Sequence, residues 1–161
     1  MDKLQLIKQA IMNEVEGYEF YRLAAEGAKN PSTAGTFLTL AKEEEKHAEW
    51  LRTYLDETMG KEALFELAIL PAPPSPEIFR WDKIEEEDVQ RAMTVFSVGM
   101  QMEKASFEFY EKGAEQFSDD PKLKELFLIL ARWEKAHYEQ FLKAYNELKE
   151  DFWAEQGFSR F

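Results

Sequence analysis

The sequence predicts an all-α protein, a four-helix bundle built from two helical hairpins with a long crossover between the second and third helices. Three observations predict it. Apolar residues recur at spacings of three and four through four long stretches. An Asx-Pro pair, Asn30-Pro31 and again Asp120-Pro121, opens the second and the fourth of them. The two halves of the chain also repeat one design at a shift of 89 or 90 residues, as the pairs Glu14/Glu103 and Glu44/Glu134 illustrate.

The first helix is expected over Leu4 to about Ala28, with Leu4, Ile7, Ile11, Val15, Tyr18, Tyr21 and Ala25 as its apolar stripe. Glu14 interrupts that stripe from within, between Ile7, Ala10, Ile11 and Tyr18, whereas Glu16 and Glu19 point toward solvent. Asn30 caps the second helix, which runs to about Met59 and stops at Gly60. So short a connection makes the first two helices antiparallel neighbours, giving a hairpin over 4–60.

Residues 61–84 break the pattern. One short helical piece, Glu62–Ile69, precedes L-P-A-P-P-S-P, which is too proline-rich for a helix interior. Such a crossover can return the chain along the bundle, so that the third helix runs parallel to the second. The third helix is expected from about Glu86 to Phe117, and the fourth from Pro121 to about Asp151, a second hairpin within 85–151. Phe127, Leu130, Ala131, Tyr138, Phe141 and Tyr145 share the face of Glu134 and His137. The tail, 152–161, is aromatic and can pack on the bundle or on another subunit. All of this reads as one domain over 1–161.

The chemistry concentrates in four glutamates and the two histidines of the chain. Glu44 and His47 stand three apart in one helix and Glu134 and His137 three apart in another, so each pair shares a helix face and can hold a metal ion with oxygen and nitrogen donors. Glu is abundant enough that both histidines would follow a Glu at this spacing by chance with a probability of roughly 0.02. Each hairpin adds one more Glu from its first helix, Glu14 or Glu103. A pseudo-twofold axis would bring all six to mid-bundle, the arrangement of dimetal carboxylate bundles. Four ionised carboxylates in an apolar core are costly without cations, and two divalent ions supply the matching charge. Glu44 and Glu134 would span both ions, with Glu14, His47, Glu103 and His137 as terminal ligands whose pairing to each ion stays open. Glu44 alone, inside the run Glu43-Glu44-Glu45, reads as part of a solvated face; the matched positions in two copies reverse that reading. Tyr21 and Tyr110, seven residues after Glu14 and Glu103, fit core packing and a role beside the site equally well.

Composition narrows the function. With 45% hydrophobic and 14% aromatic residues the 161-residue chain can bury a sizeable core. A formal net charge of −12 argues against nucleic acid or an anionic membrane as partner and favours cations. Without cysteine there are no disulfides, thiolate metal sites or thiol nucleophiles. No leader-like or membrane-spanning stretch is evident, and a soluble cytoplasmic protein is expected.

With E-x-x-x-x-E-F-Y-x-x-x-A-E in the first and third helices and L-A-x-x-E-x-x-H in the second and fourth, the chain resembles the ferritin-like superfamily, most closely its rubrerythrin-type diiron domain, over about residues 4–146. The resemblance implies a bundle, dimeric or larger, that holds two iron ions and reacts Fe(II) with hydrogen peroxide or O2; manganese or zinc suit the same ligands. It implies electrons from an external donor such as rubredoxin or a flavoprotein, because the cysteine-ligated rubredoxin module of full rubrerythrins is not present. Rubrerythrins also carry an extra Glu three residues after the third-helix ligand; here that position is Ser106, and its counterpart in the first helix is Gly17. The six-ligand set that remains is similar to bacterioferritin ferroxidase centres. The expectation is therefore a dimetal oxidoreductase reducing peroxide or O2, with Tyr21 or Tyr110 assisting near the oxidant. Iron binding, ferroxidase action or storage, and a structural dimetal site, are the alternatives.

Overall fold

Short polar residues start the helices where the sequence places them. A computed structural model of the chain describes residues 1–58 and 86–155, in which four helices follow one another: α1 (Lys3–Gly27), α2 (Pro31–Asp56), α3 (Glu86–Gln116) and α4 (Pro121–Glu155). The expected crossover over 61–84 with its helical piece, the Gly60 stop and residues 156–161 of the tail lie outside the described residues. Asp2 and Gln5 form a reciprocal capping box on α1, with bonds of 2.8 and 3.0 Å. Asn30 caps α2 by accepting from the Ser32 N–H, and Asp120 caps α4 by accepting from the Leu123 N–H.

Two helix ends differ from the expectation. α2 stops at Asp56, not Met59, where the Glu57 N–H bonds to the Thr53 carbonyl and the Thr58 hydroxyl to that of Leu55, so the terminal carbonyls are satisfied locally. α4 continues past Asp151 to Glu155, because the first breaker after it in the sequence is Gly157. The α1 stripe is also shifted. Leu4 and Val15 are 51% and 39% exposed, and the buried face runs through Leu6, Ile7, Ala10, Glu14, Gly17, Tyr21 and Ala25.

Contacts between helix ends fix the directions. Lys3 at the start of α1 pairs with Asp120 at 2.8 Å, beside the α3–α4 turn, while Asp88 near the start of α3 accepts from the backbone N–H groups of Lys29 and Asn30 in the α1–α2 turn. Thus α1 is antiparallel to α3, and α3 runs parallel to α2. Gly113 of α3 permits a close approach to α4, since a Cβ there would stand 2.5 Å from the buried Phe127 ring. The apolar core lies in two clusters, one around Ile7, Leu51, Tyr110 and Phe127, the other around Tyr21, Phe37, Phe96 and Phe141. Along every helix the six polar residues of interest fall between these clusters.

Asp88 gives a first test. Its buried carboxylate accepts from two backbone donors of this hairpin turn, at 3.1 and 2.7 Å. Hydrogen bonds to a charged group contribute about 1.5–3 kcal/mol each, so Asp88→Ala is expected to cost roughly 3 kcal/mol and lower Tm by about 6–12 °C. Asp88→Asn, which keeps one acceptor oxygen, should fall between, and equal Tm values for all three proteins would contradict this role.

Candidate metal centre

One turn of each helix builds the centre. Glu14 on α1, Glu44 and His47 on α2, Glu103 on α3, and Glu134 and His137 on α4 are all buried, and the structure brings all six together. Their ligand atoms form two groups, Glu14/Glu44/His47/Glu134 and Glu44/Glu103/Glu134/His137, in each of which they lie within 4.8 Å of one another. Glu44 and Glu134 belong to both groups. Gly17 makes room for this: a Cβ there would stand 3.1 Å from Glu44 Oε2.

His47 Nδ1 lies 2.7 Å from Glu134 Oε1 and 3.4 Å from Glu14 Oε2, while His137 Nδ1 lies 3.7 Å from both Glu44 Oε1 and Glu103 Oε1. None of these imidazole atoms makes a hydrogen bond of proper geometry. Six inward atoms, Glu14 Oε2, Glu44 Oε1, His47 Nδ1, both Glu134 oxygens and His137 Nδ1, are buried without a hydrogen-bond partner. Buried polar atoms are normally paired, so a cluster of unpaired acceptors calls for cations.

The two tyrosines sit beside the carboxylates, each crossing to the other hairpin. Tyr21 donates its hydroxyl to Glu103 Oε1 at 2.6 Å, and Tyr110 donates to Glu14 Oε1. Burial and the neighbouring carboxylates push both phenols well above their ordinary range, so they keep their protons. The carboxylates divide in the same way. Burial, reinforced by Glu103 and Glu14, raises Glu44 well above the usual range, and burial with Glu103 and Glu44 raises Glu134. For Glu14 burial is outweighed by His47, and for Glu103 by the neighbouring Glu134 carboxyl and by His137, which lower Glu14 and bring Glu103 to about 2. Burial would lower His137, but Glu103 and Glu43 lift it to about 10. Without cations, then, the cluster balances its own charge with protons.

Two contributors escaped the sequence reading. Glu43, in the run read as a solvated face, turns inward, and its Oε2 lies 2.6 Å from His137 Nε2. Gly17 carried a signal, a glycine inside a helix where it is unfavourable by about 1 kcal/mol. A cavity of about 490 Å³ opens between α1 and α3 and is lined by Gly17, Tyr21, Glu44, Glu103, Ser106 and Glu134 among others. It reaches both shared carboxylates and Glu103. Among the described residues no helix is long and apolar enough to cross a membrane.

Comparison with known proteins adds the following. The sequence model described as rubrerythrin matches residues 5–145 of the chain. A solved structure of a hypothetical protein from Pyrococcus furiosus is similar, with 28% identity, coverage of 90% of this chain and 89% of that one, and a TM-score of 0.65. No curated protein is significantly similar to the chain.

Proposed function

The chain belongs to the rubrerythrin family, and on that premise we propose that it is a non-haem diiron oxidoreductase that reduces hydrogen peroxide or O2 with electrons from an external donor. The observation that carries the reading is the set of six inward, buried and unpaired donor atoms in two groups that share Glu44 and Glu134. Carboxylate oxygens with one imidazole nitrogen per group suit iron, and also manganese or zinc. Glu44 and Glu134 would bridge the two ions, Glu14 and His47 would complete one half, and Glu103 and His137 the other. Bound iron would supply two electrons as both ions pass from Fe(II) to Fe(III), enough with two protons to take hydrogen peroxide to two waters.

The protein's own groups set the geometry. Each tyrosine grips one oxygen of a terminal carboxylate; Tyr110 thereby leaves Glu14 Oε2 turned to the centre. The cavity would admit a small oxidant to Glu44, Glu103 and Glu134, and the apolar clusters cover the centre toward the two ends of the bundle. These 161 residues hold no cysteine for a rubredoxin-type iron, so the electrons would reach the centre from outside them, from a rubredoxin or a flavoprotein. A second reading, ferroxidase action, is favoured by Ser106, which leaves open in the cavity the place where rubrerythrins carry a further carboxylate.

Anaerobic loading with Fe(II), followed by stopped-flow mixing with hydrogen peroxide or O2, tests both. Faster oxidation by peroxide supports the peroxidase reading, faster oxidation by O2 the ferroxidase, and absence of bound iron refutes both. Ser106→Leu, which narrows the cavity with apolar atoms, is expected to slow oxidation by about tenfold, a barrier change of roughly 1.4 kcal/mol, while leaving the metal content unchanged. An unaltered rate would mean that the oxidant enters elsewhere.

A further inference from the structure

We propose that the two halves of the centre are unequal: the Glu103–His137 half holds its metal ion more tightly, because Glu43 fixes His137 while His47 has no such anchor. The inference rests on the dimetal reading above and adds an order of filling to it. Most of the centre is matched between the halves. Glu44 and Glu134 belong to both groups, and each terminal carboxylate accepts one tyrosine hydroxyl, Glu103 from Tyr21 and Glu14 from Tyr110. The difference lies behind the histidines.

At the 90-residue repeat that aligns His47 with His137, Glu43 aligns with Trp133 and Trp50 with Gln140. His137 Nε2 is therefore backed by a carboxylate at 2.6 Å. A neutral imidazole carries one proton, and Glu43 accepts it at Nε2, which leaves the Nδ1 lone pair facing Glu44, Glu103 and Glu134. The charged acceptor also makes Nδ1 the stronger donor to a metal, as outer carboxylates do for ligating histidines.

His47 is enclosed differently. The rings of Trp50 and Trp133 each lie 5.4 Å from its imidazole, and its Nε2 is buried with no hydrogen-bond partner among the described residues. An indole N–H only donates, so neither tryptophan can accept the Nε2 proton. The tautomer that presents Nδ1 to a metal is thus left with an unpaired buried donor, and the ring has no acceptor to fix its angle. Among the described residues this cavity touches Glu103 but not Glu14, so it opens onto the anchored half. Glu43 is accordingly a positioning residue that acts through His137.

The test is a calorimetric titration of the metal-free full chain with Co(II), which binds the same donors without being oxidised by air during the experiment. Wild type should take up two ions in two steps. Removing an outer-shell partner typically weakens metal binding 10–100-fold, so Glu43→Leu should weaken the tighter step by about that factor and merge the two. Glu43→Gln, whose neutral amide oxygen still accepts from Nε2–H, should keep part of the separation and fall between wild type and Glu43→Leu, whereas a merely space-filling role of Glu43 would leave Glu43→Gln equal to wild type. Should Glu43→Leu fail to fold, wild type and Glu43→Gln still decide. Two ions taken up with a single affinity in wild type, or an undiminished tight step in Glu43→Leu, would overturn the inference and leave the dimetal reading standing. Failure of wild type to bind Co(II) at all would overturn both.

Discussion

Glu134→Ala is expected to lower the iron content of the anaerobically loaded protein from about two ions per chain to below one. Glu134 offers an oxygen to both groups of donors, and both of its oxygens are buried and unpaired. Its loss therefore leaves each half one ligand short at once, whereas loss of Glu14 or Glu103 would impair one half. The effect on stability should depend on metal. A ligand present at 1,000 times its Kd stabilises the folded state by about 4 kcal/mol, so the loaded variant should melt far below loaded wild type. Without metal, the cavity left by the side chain is offset by removal of a buried carboxyl group that burial, and then the charges of Glu103, Glu44 and Glu14, disfavour in its ionised form. The metal-free proteins should therefore melt much closer together than the loaded ones. Elemental analysis and thermal unfolding with and without chelator measure both quantities, with Glu139→Ala on the exposed side of the same helix as control. Two irons per chain in Glu134→Ala would sink the proposed assignment.

Much of this centre was legible because buried carboxylates contradict the pattern that surrounds them. Glu14, Glu103 and Glu134 stand on apolar faces, and the repeat tied them to Glu44 and the histidines, so the six positions followed from spacing. The hairpins were equally legible from Asn30-Pro31 and Asp120-Pro121, whose side chains do cap the helices. The α1 stripe was less so. Spacings of three and four allow two adjacent stripes, and only packing against α2 selects the one through Ala10 and Gly17 over the one through Leu4 and Val15. Glu43 was hidden for a different reason. In a run of three glutamates the helix turn alone cannot tell which second residue meets a partner, and that partner, His137, is 94 residues away. The crossing of Tyr21 to Glu103 and of Tyr110 to Glu14 likewise depends on how the hairpins meet, although the repeated spacing marked both tyrosines.

Protons and metal ions compete for this cluster, which makes the stability of the loaded and metal-free proteins diverge with pH. In the metal-free fold Glu44, Glu134 and His137 are all raised, His137 from 6.5 to about 10. A raised group binds more protons folded than unfolded, so its stabilisation is present below the unfolded value and is lost as pH climbs through the folded one. For His137 that window is 6.5 to about 10; for the two carboxylates the loss begins above their ordinary value of 4.5. Glu14 and Glu103 act in the opposite sense. Their folded values are lowered, so they stabilise above 4.5 and lose that contribution as pH falls, Glu103 toward about 2. The metal-free protein should therefore be most stable near the ordinary carboxylate value of 4.5, where the two sets cross, and lose at least about 5 °C of Tm by pH 9, given roughly 2–4 °C per kcal/mol for a chain of this size. Bound divalent ions reverse the slope, because ligands must be deprotonated and affinity rises with pH. Subtracting the Tm of chelator-treated protein from that of Mn(II)-loaded protein removes the self-repulsion of the acidic surface, which both share. That difference is expected to widen steadily from pH 6 to 9; a constant difference would mean that the cluster does not exchange protons for metal.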